Sequence, residues 1–84
     1  MLNPAHLRIP DVRYRTQDGH PSVIRSVEKA IYYIDRQLAS DLARRPIFKA
    51  AKETLHQALE RRIPMGTARQ AFLAALQASK LLIP

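Results

Sequence analysis

The chain has no cysteine, which excludes disulfides, thiolate catalysis, iron–sulfur clusters and cysteine-based zinc sites together. That fits a reducing compartment. Glycine occurs only twice, at Gly19 and Gly66, and each stands alone, so no phosphate-cradling loop is present. No apolar run approaches the ~20 residues that a membrane span needs. The opening Met1-Leu2-Asn3-Pro4-Ala5-His6-Leu7-Arg8 lacks the apolar stretch of a secretory signal. These absences point to a cytoplasmic protein of bacterial type with no membrane partner.

Catalytic constellations are missing as well. His6, His20 and His56 lie far apart and in no metal-ligand spacing. Ser22, Ser26, Ser40 and Ser79 have no histidine at a suggestive distance. Asp35 and Asp41 are six residues apart, which is not same-face helical spacing, so they read as ordinary surface acids. The sequence predicts no enzyme, no cofactor and no metal.

Acidic residues are scarce: seven against fourteen Lys and Arg, a net charge of +7. The excess is uneven. Residues 44–62 hold six bases and two glutamates, a net +4, whereas residues 27–43 carry a net −1. Such a balance invites a polyanionic partner.

At 84 residues the chain is expected to form one domain with a modest core. Residues 1–10 carry two prolines and no clear period, and read as a flexible N-terminal arm ahead of a domain at 11–84. From Asp11 to Thr16 apolar and charged residues alternate, which is the strand period. Gln17-Asp18-Gly19-His20 is a turn signal, and Pro21-Ser22-Val23-Ile24-Arg25 the returning strand. Two registers are open. A two-residue loop pairs Tyr14 with Val23, whereas a three-residue loop sets Val12, Tyr14 and Ile24 on one face and Arg13, Arg15 and Arg25 on the other. The second separates charge from core and is preferred.

Ser26 is a good N-cap, and Glu28 in the first turn suits the helix dipole. Val27, Ala30, Ile31, Ile34, Leu38 and Leu42 then recur at helical spacing, leaving Lys29, Tyr32, Asp35 and Arg36 on the other side. This helix should break near Ser40, ahead of Pro46, which opens a second helix to about Arg62. Ile47, Ala51, Thr54, Leu55, Ala58 and Arg62 mark its inner face, with Phe48 and Leu59 at the edge. Pro64 stops it, and a third helix runs from about Met65 to Ser79 with Met65, Ala68, Ala71, Phe72, Ala75 and Leu76 inward. By this facing Phe72 is the costlier of the two phenylalanines to truncate. The fold class is α+β, an N-terminal β-hairpin packed on three short α-helices; the alternative is all-α with the first 25 residues irregular.

Two surfaces stand out. Arg44, Arg45, Lys49, Lys52 and His56 form a basic stripe on the second helix, a candidate polyanion-binding site, although Glu53 and Glu60 are interspersed as on any solvated face. No aromatic residue lies among these bases, so nucleic-acid binding there is expected to be weak and non-specific. In Tyr32-Tyr33, Tyr33 should edge the core and Tyr32 stay half exposed, a candidate partner contact. The functional expectation is a small non-enzymatic interaction or regulatory module that binds a protein partner. Self-association as a homodimer is also expected, since both hairpin strands would leave open edges. Weak nucleic-acid binding is the alternative.

From Ser22 to the end the chain resembles family nine-eighty-two of the domains of unknown function, small proteins that cluster in alphaproteobacteria. The residues that carry the resemblance are Ser26-Val27-Glu28-x-Ala30, then Ile34 and Leu38, Ala58-Leu59-Glu60, Pro64, and Ala68-Arg69-x-Ala71-Phe72 with Ala75 and Ala78. Similar proteins often have a tryptophan near the end of the first helix, where Leu38-Ala39 stand here. They often have a glycine after the second, where this chain has Arg61-Arg62. The resemblance implies the hairpin-plus-helices shape and no activity. Arg69 could pair with a carboxylate.

Overall fold

A computed structural model describes residues 7–16 and 18–83. Strand β1 (Arg8–Arg15) pairs antiparallel with β2 (Pro21–Ser26), followed by α1 (Val27–Tyr32), a π-helical turn (Tyr33–Gln37), the short α2 (Ser40–Ala43), α3 (Pro46–Leu59) and α4 (Met65–Ala78). The fold is α+β, with the hairpin on one side of the helices. Residues 1–6 of the expected arm lie outside the described residues. The strand begins three residues earlier than the alternation suggests, so Arg8, Ile9 and Pro10 belong to the hairpin.

The hairpin adopts the three-residue-loop register: Val12 opposes Ile24, Arg13 opposes Val23, Tyr14 opposes Ser22 and Arg15 opposes Pro21. Gly19 sits at φ +89°, a conformation that a glycine reaches without a Cβ clash, and it closes the loop. Val12, Tyr14 and Ile24 are buried, while Arg13, Arg15 and Arg25 are exposed. Between Arg8 and Val12 the register shifts at a bulge. The bulge is why Ile9 and Val12, three residues apart, both face the core.

The start of β1 is tied to α1. The Val27 N–H donates to the Leu7 carbonyl at 2.9 Å, and the Leu7 N–H reaches both Glu28 carboxylate oxygens, at 3.0 and 3.2 Å. Ser26 caps α1 by accepting the Lys29 N–H at 3.1 Å. Among the described residues Arg69 on α4 meets no carboxylate. Its guanidinium donates to the carbonyls of Pro10 and Asp11 at 3.1 and 3.2 Å, pinning the bulge to α4.

The first helix breaks earlier than Ser40. After Tyr32 it widens into the π turn, in which the Leu38 N–H donates to the Tyr33 carbonyl at 2.8 Å, and Leu38 is already extended. Tyr33, the first residue of that turn, is buried in the core. There its ring meets Tyr14 edge-on at 4.7 Å and Phe72 at 6.0 Å. The four-residue α2 is a further helix beyond the three expected.

Helix α3 faces the core differently from its sequence pattern. Phe48, Ala51, Leu55 and Ala58 are buried, whereas Ile47 and Arg62 are exposed and Thr54 is half-buried. The reason is that α3 packs on two sides, against α4 and against α1, so the helix edge that holds Phe48 is covered too. Phe48 and Phe72 are both completely buried, which removes the ground for ranking Phe72 above Phe48. On α4, Ala68, Phe72, Ala75 and Leu76 are buried, but Met65 is exposed and Ala71 half-buried.

Beyond α4 the chain returns to the sheet. The Arg15 N–H donates to the Leu81 carbonyl at 2.7 Å, the Ile83 N–H to the Arg13 carbonyl at 3.0 Å, and Leu82 bridges Tyr14. Strand β1 is therefore central, and the expectation of two open hairpin edges is corrected: among the described residues only β2 keeps one.

Candidate functional site

The open edge follows from the hydrogen-bond alternation of an antiparallel ladder. Arg13 and Arg15 turn their backbone groups toward residues 81–83, so Val12 and Tyr14 turn theirs toward β2. Their partners Ile24 and Ser22 point back at β1. Val23 and Arg25 thus direct their N–H and C=O groups away from the sheet, two residues apart, at the spacing an added strand would use.

A groove of about 320 Å³ runs along this edge. Its strand wall is Ser22, Val23, Ile24 and Arg25; its helix wall is Lys29 and Tyr32, with Gln37 at one end and Tyr14 beneath. Tyr32 is 52% exposed, and Val23 is 38% exposed. Among the described residues no carboxylate lines the groove, and the two charged ones that do are Arg25 and Lys29. Arg25 also approaches Asp11, Nε to Oδ1 3.4 Å, but both side chains are largely solvated, so that pair leaves the guanidinium available.

The sequence-selected Tyr32 is therefore in the groove wall. The basic stripe lies elsewhere, on the outer side of α3. Arg44 and Arg45 are exposed just ahead of the helix, Lys49 and His56 are exposed on it, and Lys52 is half-buried. Lys52 forms an ion pair with Asp35 of the π turn, and Glu53 borders the same shallow surface. Lys49, Lys52 and His56 border one shallow surface of α3, and one of these cations is already matched. The groove was not legible in the sequence, because a strand edge and a helix from consecutive elements create it only once the register is set.

A second concavity, of about 330 Å³, lies where the hairpin loop meets the π turn, lined by Tyr14, Thr16, Asp18, Ser22, Tyr33 and Gln37. Burial pushes the Tyr33 hydroxyl up to about 12, and the neighbouring Tyr14 adds to the rise. No group of three or more His, Asp or Glu side chains that could hold a metal ion occurs among the described residues. No helix among them is long and apolar enough to cross a membrane.

A family model described as Protein of unknown function (DUF982) matches residues 12–83. No curated protein and no solved structure matches the chain.

Proposed function

Because the chain belongs to the family described as Protein of unknown function (DUF982), we propose from its geometry that it is a small non-enzymatic interaction module, which takes an extended segment of a protein partner as an added strand on β2. The observation that carries this reading is the open β2 edge, with the outward backbone groups of Val23 and Arg25 beside the groove that Tyr32 walls. Main-chain hydrogen bonds would supply affinity, and the groove side-chain selection. Arg25 and Lys29, with no acid lining the groove, favour a segment that carries carboxylates. Tyr32 offers a large, stiff contact surface of the kind that dominates interface energy. Polyanion binding by Arg44, Arg45, Lys49, Lys52 and His56 is the weaker reading, since Lys52 is paired with Asp35.

The test is a proline at an edge position. Val23→Pro deletes one outward N–H and leaves the β1 ladder intact, because proline is tolerated where the N–H faces solvent. Proteins captured from the source cell's lysate after nuclease treatment are compared for the wild type, Val23→Pro, Tyr32→Ala and a Lys49→Gln/Lys52→Gln double variant. The expected result is a partner that Val23→Pro and Tyr32→Ala lose and the lysine variant keeps, with slowed amide exchange at Val23 and Arg25 in the purified complex. A partner that Val23→Pro retains, or binding that nuclease abolishes, overturns the reading. Light scattering decides whether the occupant is a second copy of this chain, which would replace the hetero-partner.

A further inference from the structure

The polar cavity between hairpin loop and π turn differs in kind from the groove beside it. Every side chain that lines it can hydrogen-bond: two phenols, two aliphatic hydroxyls, an amide and a carboxylate. Tyr14 and Tyr33 are each only 4% exposed. Among the described residues neither phenol hydroxyl has a hydrogen-bond partner; of the other groups, the Thr16 hydroxyl is engaged, accepting the His20 N–H at 3.1 Å. Neither phenol is sealed from solvent, so both phenol oxygens reach into the cavity and are free to bond whatever occupies it.

The charge of the lining selects the occupant. The chain carries fourteen Lys and Arg, yet among the described residues none lines this cavity, and the one ionic group there is Asp18. An anion would meet a carboxylate and no counter-charge. An alkylammonium has three N–H donors, and the cavity offers the Asp18 carboxylate, phenol oxygens and the Gln37 amide oxygen to receive them. Two electron-rich rings in the wall favour a cation further.

We propose that the cavity lined by Tyr14, Asp18, Tyr33 and Gln37 binds an alkylammonium group. A free small amine and a lysine side chain share that chemistry. The cavity adjoins the β2 groove through Tyr14, Ser22 and Gln37, so a lysine on a docked strand has a route in. The proposal stands without the docked strand, because the cavity's lining carries it.

The test uses the whole chain and tyrosine ring signals followed by NMR, with exposed Tyr32 as internal control. n-Butylammonium chloride is titrated at constant ionic strength, against n-butanol and sodium chloride. The expected result is a saturable shift of Tyr14 and Tyr33 with the amine alone. Asp18→Asn, a substitution in an exposed loop, should weaken binding by about fivefold, as for loss of one solvated ion pair. A blocked lysine tripeptide separates the two sources: much tighter binding than butylammonium assigns the site to a lysine side chain, and equal binding to a free amine. No saturable shift, an equal shift with n-butanol, or an unchanged affinity in Asp18→Asn overturns the proposal.

Discussion

At the scale of single residues, the two helix ends are the most informative. Helices α3 and α4 finish alike: the Arg62 N–H returns to the Gln57 carbonyl at 2.8 Å, the Leu81 N–H to the Leu76 carbonyl at 2.9 Å, and Arg61 and Lys80 sit at φ 62° and 60°. This is the Schellman closure, whose left-handed position glycine normally fills. A left-handed residue with a Cβ costs roughly 1–2 kcal/mol, and glycine returns roughly 0.5–1 of that in unfolded-chain entropy. Arg61→Gly and Lys80→Gly should therefore each stabilise the protein by about 0.5–1 kcal/mol, read from urea midpoints, and nearly additively because the sites share no partner. Of the arginine pair noted in the sequence, where the family resemblance led one to expect glycine, Arg61 is the residue in the left-handed position. Tyr33 gives a prediction in pH. Its hydroxyl holds the proton more tightly when folded, at about 12 against 10.0. The stabilisation is complete below pH 10 and falls away as pH rises toward 12. Alkaline denaturation should be steeper in the wild type than in Tyr33→Phe across that interval; equal slopes would count against it.

At the scale of elements, local chemistry was legible and contact between elements was not. Ser26, Pro46 and Pro64 mark helix starts because capping and a fixed φ act within one turn. The hairpin register was readable because only one choice keeps Arg13, Arg15 and Arg25 off the core side. Tyr32 was correctly placed in solvent by helical period alone. The π turn was not legible, since the contacts of Tyr33 with Tyr14 and Phe72 that accompany it join residues far apart in sequence. Nor was the pairing of Lys52 with Asp35, nor the turn of α3 that buries Phe48. Arg69 belongs to the same class: a carboxylate was its expected partner, and it serves the carbonyls of Pro10 and Asp11 instead. Arg69→Ala should cost about 1–2 kcal/mol, and Arg69→Lys should recover little, because one ammonium on a flexible stem does not reproduce two donors held in a plane. Thermal melts of both variants check this, and full rescue by lysine would show that charge alone matters there.

At the scale of the whole molecule, the core is one cluster from Ile9 to Leu76, with Leu81 and Leu82 packed against it. Three short residues after α4 determine which edge of the sheet stays open, so removing their pairing would expose β1 and blur the distinction on which the β2 groove depends. Leu82 also joins Tyr14 across nearly the entire chain, and that has a kinetic meaning. The hairpin and the α3–α4 pair form from neighbours in sequence, whereas the Tyr14–Leu82 bridge must close a loop of most of the chain and gains little until its surroundings exist. Residues 81–83 are therefore expected to dock after the rate-limiting step. In a chevron analysis Leu82→Ala should leave the refolding limb nearly unchanged and raise the unfolding rate, a φ-value near zero, whereas Ile24→Val in the hairpin should slow refolding. The element that defines the sheet's open edge would then also govern how long the native state persists once formed.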